Sequence, residues 1–511
     1  MTTIASSLYS PSLLKAMANN SAKLQDLSEQ LATGKVSSTY AGLGTGRDVA
    51  LAMKAKLTQL DSYDSVGAII SSRIGVMSTV VDGLDTIASE IASFDSSASY
   101  SLSGGQTATQ SQAGAYLDEA IGYLNTDSDG RYLFSGASTD AKPVLTAEQM
   151  LADDGDKAGL KTVIYERGLA DLGADGRGRL DVSGANGTSF TVSEEASGPF
   201  GFKLSAVSSS LTGGVVEGPT GDPATLTLGV DGAPSDGQSV TVTLTLPDGS
   251  TEQMTLTART DDGAALQDGE FLIGATPEET TANLQAAFDG SLKTLADTSL
   301  TAASAVAAGD DFFTSGGEPA RVAGFDGTYA TQAERAAALQ GATALDTTGT
   351  AARTVAWYQG DSSTADPRDA ATAKVADGVS VSYGARANEE AFANVIKSLA
   401  VLSATTFSAS DENAEARYEA LRERTVGALS STETSSALQS VASDLAIANT
   451  SVKAAGDRHD AARALAEDAL SGVVDADSDE VTVKILALQS SIEASYSVAA
   501  TLKSLSLVNY L

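Results

Sequence analysis

From Leu13 onward, apolar residues recur at alternating spacings of four and three: Leu13, Met17, Leu24, Leu27 and Leu31, with Asn20 in the same stripe. A repeat of about 3.5 residues lays one ridge along one side of an α-helix, the pattern of a coiled-coil seam. The stripe stops at Ala32-Thr33-Gly34-Lys35, where the glycine suits a left-handed residue closing a helix. A loop carrying Gly42, Gly44 and Gly46 follows and reads as a flexible link. The spacing then resumes through Val49, Met53, Leu60, Tyr63, Ile70, Ile74, Met77, Val81, Leu84 and Ile91, with Lys56, Gly67 and Ala88 in its weaker slots. Globular helices average about 10–14 residues, so one this long needs a partner helix along its whole side.

The C-terminal third supplies partners. Between Glu412 and Leu470 an Ala-rich stretch predicts one long helix with a stripe of Leu438, Val441, Leu445, Ala448 and Val452. After the break Val473-Val474-Asp475-Ala476-Asp477-Ser478-Asp479, a last stripe runs Val481, Ile485, Leu488, Ile492, Ser495, Ala499 and Leu502. Asp477 to Asp479 offer N-caps and favourable charge at that helix start.

The middle changes period. Phe202-Lys203-Leu204-Ser205-Ala206-Val207 alternates, and two alternating runs, 239–246 and 252–257, flank Pro247-Asp248-Gly249-Ser250, predicting a β-hairpin. One amphipathic helix interrupts the strands, with Thr276 as N-cap, Pro277 at the first helical position, Glu279 closing a capping box, and Leu284, Phe288, Leu292 and Leu295 on one face. The pattern therefore predicts a mainly α chain with an inserted β-rich domain: long antiparallel coiled-coil arms from both termini and an outer α+β domain. The divisions read as 1–40 with 476–511, 41–140 with 381–475, and 141–380.

Charge narrows the partners. With 32 Lys and Arg against 66 Asp and Glu, the net charge of −34 argues against nucleic acid and against an anionic membrane, since both require a basic surface. No cysteine is present, so disulfides and thiolate chemistry are absent. The first thirty residues lack the basic start and apolar run of a cleaved leader, and no uninterrupted apolar run approaches a membrane span.

No catalytic or cofactor constellation emerges. His459 is the only histidine, in Asp457-Arg458-His459-Asp460, which excludes a two-histidine metal site within one chain and suggests a structural role. Asn125, Asp127, Asp129 and Gly130 open like a calcium loop, but Gly136 stands where its bidentate Glu belongs; Asp475, Asp477 and Asp479 likewise place Leu486 there. Turn formation and capping explain both clusters. Gly42, Gly44 and Gly46 join two helices without a feeding strand, so a dinucleotide loop is excluded.

One stretch concentrates large side chains: Asp129-Gly130-Arg131-Tyr132-Leu133-Phe134-Ser135-Gly136, in a chain with 5% aromatic residues. Tyr132, Leu133 and Phe134 read as a short strand or turn that plugs an interdomain joint. The run 129–144 that contains them, Leu31-Ala32-Thr33-Gly34-Lys35, the segment Ala356-Trp357-Tyr358-Gln359-Gly360-Asp361 with 379–385, the helix 488–496 and the ending 504–511 together resemble the flagellin superfamily, and within it the junction proteins between flagellar hook and filament. The resemblance implies that the segment with Trp357 and Tyr358 returns the chain from the outer domain to the helical core, at the same joint.

The resemblance implies a structural, non-enzymatic component of the bacterial flagellum, exported unfolded through the type III apparatus without a cleaved leader. It implies as partners hook-associated protein 1, flagellin, a flagellar export chaperone and further copies of the chain in a ring. Leu13, Met17, Leu24, Leu27, Leu31, Ile485, Leu488, Ile492 and Leu502 are then the expected subunit-interface residues. A filament-forming flagellin is the alternative within the superfamily; an enzyme or carbohydrate-binding module carried by the β domain is the alternative outside it.

Overall fold

A computed structural model describes residues 11–93, 100–184, 187–361, 363 and 365–508, and the side chains of these except 11–14 and 502–508. Its helices are α1 (Pro11–Thr33), α2 (Arg47–Ser93), α3 (Ala108–Leu124), α4 (Ala147–Leu151), α5 (Leu160–Leu172), α6 (Pro277–Leu295), α7 (Thr301–Phe312), α8 (Gln332–Gln340), α9 (Glu390–Ala404), α10 (Ala414–Leu429), α11 (Thr432–Val474) and α12 (Ser478–Val508). The strands are β1 (Asp127–Ser128), β2 (Arg131–Tyr132), β3 (Leu180–Ser183), β4 (Ser189–Glu194), β5 (Lys203–Ser209), β6 (Gly214–Gly221), β7 (Ala224–Val230), β8 (Ser239–Thr245), β9 (Thr251–Arg259), β10 (Glu270–Leu272), β11 (Arg321–Val322), β12 (Leu345–Asp346), β13 (Thr372–Ala376) and β14 (Val379–Ser382). The fold is mostly helical with a strand-rich middle, as the hydrophobic pattern predicts.

Two compact units divide the chain. The terminal unit takes Met1–Ser71, Ala373–Val381 and Asn449–Leu511; the large unit takes Ser72–Thr372 and Ser382–Ala448. These boundaries fall elsewhere than the sequence-based divisions near 40, 140, 380 and 475.

In the terminal unit, Gly34 takes φ +67 and its N–H bonds the Gln30 carbonyl at 2.8 Å, closing α1 as expected. The glycine loop after it is a 3-10 segment, Tyr40–Gly46, rather than an unstructured link, and its backbone turns sharply at Gly44 (φ 56, ψ −121). Gly46 lies so near Val473 that an added Cβ would stand 2.3 Å from it. A Cβ on Gly67 would be 3.3 Å from Val452, so this weak slot in the α2 stripe is a point of close helix approach.

Within the large unit, the α2 stripe is buried at Ile74, Met77, Val81, Leu84 and Ile91. In the terminal unit its start departs from the predicted register: Val49 is exposed while Ala50 is buried, and Lys56 is exposed while Leu57 is half-buried. A straight helix with 3.6 residues per turn drifts against a 3.5-residue pattern, and over several heptads the inward face passes to neighbouring positions. By composition the helix Tyr40–Ser93 is long and apolar enough to cross a membrane, but its apolar side from Ile74 to Ile91 is core of the large unit.

Further differences lie in the C-terminal third and the insert. The single helix predicted from Glu412 to Leu470 is two, α10 and α11, because Ser431 accepts the Thr434 N–H at 3.2 Å and caps a new start. The α11 stripe from Leu438 to Val452 is buried as read. Helix α9 went unread: nearly every side chain from Ala391 to Ala404 is buried, so no amphipathic stripe marks it. Helix α3 also went unread, although Thr107 and Gln110 form the reciprocal capping box its sequence encodes.

The insert is a sandwich of two four-stranded sheets, ordered β3-β4-β7-β6 and β10-β9-β8-β5, antiparallel except where β10 runs parallel to β9. Strands β8 and β9 are the predicted hairpin, paired from Ser239↔Thr257 to Thr245↔Thr251, with Gly249 at φ +81 in the turn. Phe190, Phe202, Phe271 and Phe288 fill its core together with the Leu284 and Leu292 face of α6. Thr276 caps α6 by accepting the Glu279 N–H at 3.2 Å, but the Glu279 carboxylate bonds the Ala275 N–H rather than that of Thr276, so the box closes one residue upstream. Helices α5, α7 and α8 accompany the sandwich where the pattern showed only α6.

Arginines hold these layers together. Arg321 and Arg335 both pair with the buried Glu166, and Arg424 of α10 reaches Asp248 and Glu252 of the β8–β9 hairpin, each at 3.0 Å. Arg167 bridges Asp171 at 2.9 Å and Asp311 at 2.7 Å. Burial pushes the Asp311 carboxyl up to about 6 against the pull of that guanidinium. A raised carboxyl contributes stability at low pH and loses it as pH rises through the folded value. Urea midpoints of the wild type and Asp311→Asn should therefore diverge between pH 4 and 6, the variant gaining on the wild type by on the order of 2–3 kcal/mol, and run parallel above that window.

Candidate assembly interface and chain neck

Helix α1 packs along α12 in the terminal unit. Their near ends are joined by backbone: the Val36 N–H donates to Val474 O and the Ala476 N–H to Gly34 O, both at 2.8 Å, with Lys35 facing Asp475. Asp477 caps α12, its carboxylate accepting the Asp479 and Glu480 N–H groups at 2.9 and 3.1 Å. That accounts for the acidic cluster without a metal.

The predicted interface residues fall on this helix pair. Met17, Leu24, Leu27, Ile485, Leu488 and Ile492 are half-buried, and Leu27 and Leu488 line one open cleft between α1 and α12. Leu31 is 43% exposed. The side chains of Leu13 and Leu502 lie outside the described residues. Beyond the predicted stripe, Val483, Leu486, Tyr496 and Val498 of α12 are more than half exposed, and Ile69 and Leu465 are exposed as well. The terminal unit thus carries most of the large exposed hydrophobic side chains among the described residues.

His459 lies in the same unit and serves packing. Its ring is 6% exposed, stacks on Tyr63 with centroids 5.6 Å apart, and shares a 2.6 Å hydrogen bond between Nδ1 and Asp64. Arg463 spans Asp61 and Asp64 at 2.5 and 2.6 Å. Burial pushes the Asp64 carboxyl up, but the hydrogen bonds from His459 and Arg463 outweigh it and hold the carboxyl below the ordinary aspartate range.

The joint residues converge in the large unit. Asp129 (φ 55) and Gly130 (φ 72) turn the chain between β1 and β2, and the Asp127 carboxylate accepts the Gly130 N–H, so this acidic cluster builds a turn. Asn125, unremarked as a clamp in the sequence, holds Val144 through both backbone groups at 2.9 and 3.0 Å. Phe134 is fully buried, its ring edge-on to Phe392 with centroids 5.5 Å apart, whereas Tyr132 and Leu133 are only half-buried.

Backbone bonds tie this segment to the returning chain. The Ala387 N–H donates to Phe134 O at 2.8 Å, the Asp361 N–H to Ser135 O at 2.9 Å, and the Gly136 N–H to Ala385 O at 3.2 Å. Gly136 takes φ +63, and a Cβ there would stand 2.9 Å from the Asp361 Cβ. Beside it the outgoing chain pairs with the incoming one: Leu145 N–H to Trp357 O at 3.0 Å and Gln359 N–H to Pro143 O at 2.7 Å. Trp357 is buried against Phe313, and burial pushes the Tyr358 hydroxyl up.

The family of the bacterial flagellin N-terminal helical region matches residues 4–139. The matched stretch takes in α1, α2, α3 and the Tyr132-Leu133-Phe134 segment, and it supports a place in the flagellin superfamily, whose members are structural, self-assembling proteins of the bacterial flagellum. No curated protein and no solved structure matches the chain.

Replacing Phe134 with Ala removes a fully buried ring and should destabilise the large unit by about 3–5 kcal/mol, while Tyr132→Ala, at a half-buried position, should cost about 1 kcal/mol or less. Chemical denaturation of the two variants measures the difference.

Proposed function

We propose that this protein is the junction protein between the flagellar hook and filament, hook-associated protein 3, working mechanically as an adaptor between two helical lattices. The observation that carries the reading is the match of residues 4–139 to the flagellin N-terminal region, the first half of which falls in a terminal unit with uncovered apolar ridges. Leucine and isoleucine stripes gain about 25 cal/mol for each Å² removed from water, so these ridges favour burial against neighbouring subunits. Leu13, Met17, Leu24, Leu27, Leu31, Ile485, Leu488, Ile492 and Leu502 contribute the coiled-coil contacts, with Val483, Leu486, Tyr496 and Val498 extending the surface.

The resemblance of residues 129–144 and of the ending 504–511 to junction proteins favours that role over a filament-forming flagellin. Hook-associated protein 1 and flagellin are then the neighbours on either side, an export chaperone holds the C-terminal seam before export, and the assembled protein lies outside the cell. Residues Tyr132, Leu133, Phe134, Trp357 and Tyr358 form the joint between the helical part and the outer part.

Cells lacking the protein should shed filaments and keep hooks, and purified protein should not extend into long filaments when seeded; intact filaments on the deletion strain, or long polymers in vitro, contradict the junction role. The double substitution Leu486→Asp with Val498→Asp should abolish complementation of motility while leaving the thermal unfolding of the large unit unchanged, as followed by its single tryptophan.

A further inference from the structure

A cleft of about 390 Å³ opens in the large unit between the loop after α7, the returning segment around Trp357, and Asn388. Its volume lies in the range of small-molecule sites, roughly 300–1,000 Å³. In a chain with 66 acidic and 32 basic residues, no charged side chain lines it. Tyr358 supplies a half-buried aromatic wall, Phe312 and Trp357 border the cleft as almost wholly buried rings, and amides and main chain supply the polar groups.

Several of those groups retain hydrogen-bonding capacity. Asn388 is 8% exposed and uses its amide nitrogen on Ser315 O at 3.2 Å, with no partner for its amide oxygen among the described residues. Gln359 donates its amide nitrogen to Ala356 O. A Cβ at Gly316 or Gly317 would meet no heavy atom within 4 Å, so the loop leaves room above it.

We propose that this cleft binds a neutral saccharide unit. The half-buried Tyr358 ring suits the C–H face of a sugar ring, and amide and backbone groups suit its hydroxyls, which both donate and accept. An ionic ligand finds no counter-charge in the cleft, and an anionic glycan is also repelled by the net charge of −34. The site is separate from the apolar ridges on which the assembly reading rests, since its residues all belong to the large unit and those ridges to the terminal one.

Trp357 is the only tryptophan of the chain, so its fluorescence reports occupancy directly. The full-length protein is titrated with maltotriose, cellotriose and chitotriose, and with oligogalacturonate as the anionic control. At least one neutral series should give a saturable emission change, with no response to oligogalacturonate. Gly316→Leu, at a lining position with an ordinary backbone conformation and open space around it, should weaken that binding at least tenfold without moving the melting temperature. Gln359→Ala, at an exposed position, should weaken it as well, which keeps the test decisive if the first variant folds poorly. Absence of a saturable change with all three neutral sugars, an equal response to the anionic one, or undiminished binding by both variants overturns the proposal.

Discussion

A chain that leaves a helical core at residue 145 and rejoins it at residue 357 must close a loop of more than two hundred residues, and the short antiparallel neck that closes it is the constraint on which the remaining structure depends. Closing so long a flexible loop costs about 5 kcal/mol of chain entropy. The neck offsets this with paired backbone from Pro143 to Leu145 against Trp357 to Gln359, and with Phe134 set edge-on against Phe392 of α9. Ser135 and Gly136 add bonds to Asp361 and Ala385, through an approach too close for any side chain at position 136. Beyond the neck, α10 also reaches the insert, with Arg424 on Asp248 and Arg417 on Asp297.

The placement of the scarce cations follows a related logic. The chain has about two acidic residues for each basic one, yet its arginines are concentrated at seams within the large unit. Arg321 is 2% exposed and holds Glu166 from two nitrogens, while Arg424 and Arg417, both on α10, grip the β8–β9 turn and Asp297. A guanidinium serves here because it donates in several directions from one plane, so a single side chain joins elements distant in sequence. The charge left over is strongly acidic, a net −34, which makes like surfaces repel one another.

The terminal unit is built to the opposite standard. Its helices meet through a few backbone bonds, close glycine contacts and the His459–Asp64–Arg463 cluster, and its outward positions retain isoleucine, leucine, valine and tyrosine. A unit that exposes this much apolar surface gains stability from further surfaces of matching shape, and a flagellin-like N-terminal region is consistent with copies of the same chain supplying them.

The sequence by itself determined the periodic elements: α1 and its Gly34 stop, the length of α2, the Asp477 cap on α12, the β8–β9 hairpin and the start of α6, because each is encoded within a few residues by spacing, a cap or a turn. It also brought Phe134 to notice, since large side chains are rare in this composition. Only the tertiary structure decided that Ala50 rather than Val49 faces inward, that α9 is a helix at all, and that the Glu279 carboxylate closes on Ala275. It alone placed Asn125 and Asp361 around the neck, and it alone joined Asp64 to His459. The reason is physical: periodicity and capping are local and written along the chain, whereas a helix buried on every side, or an ion pair hundreds of residues apart, is specified by neighbours that the local pattern does not contain.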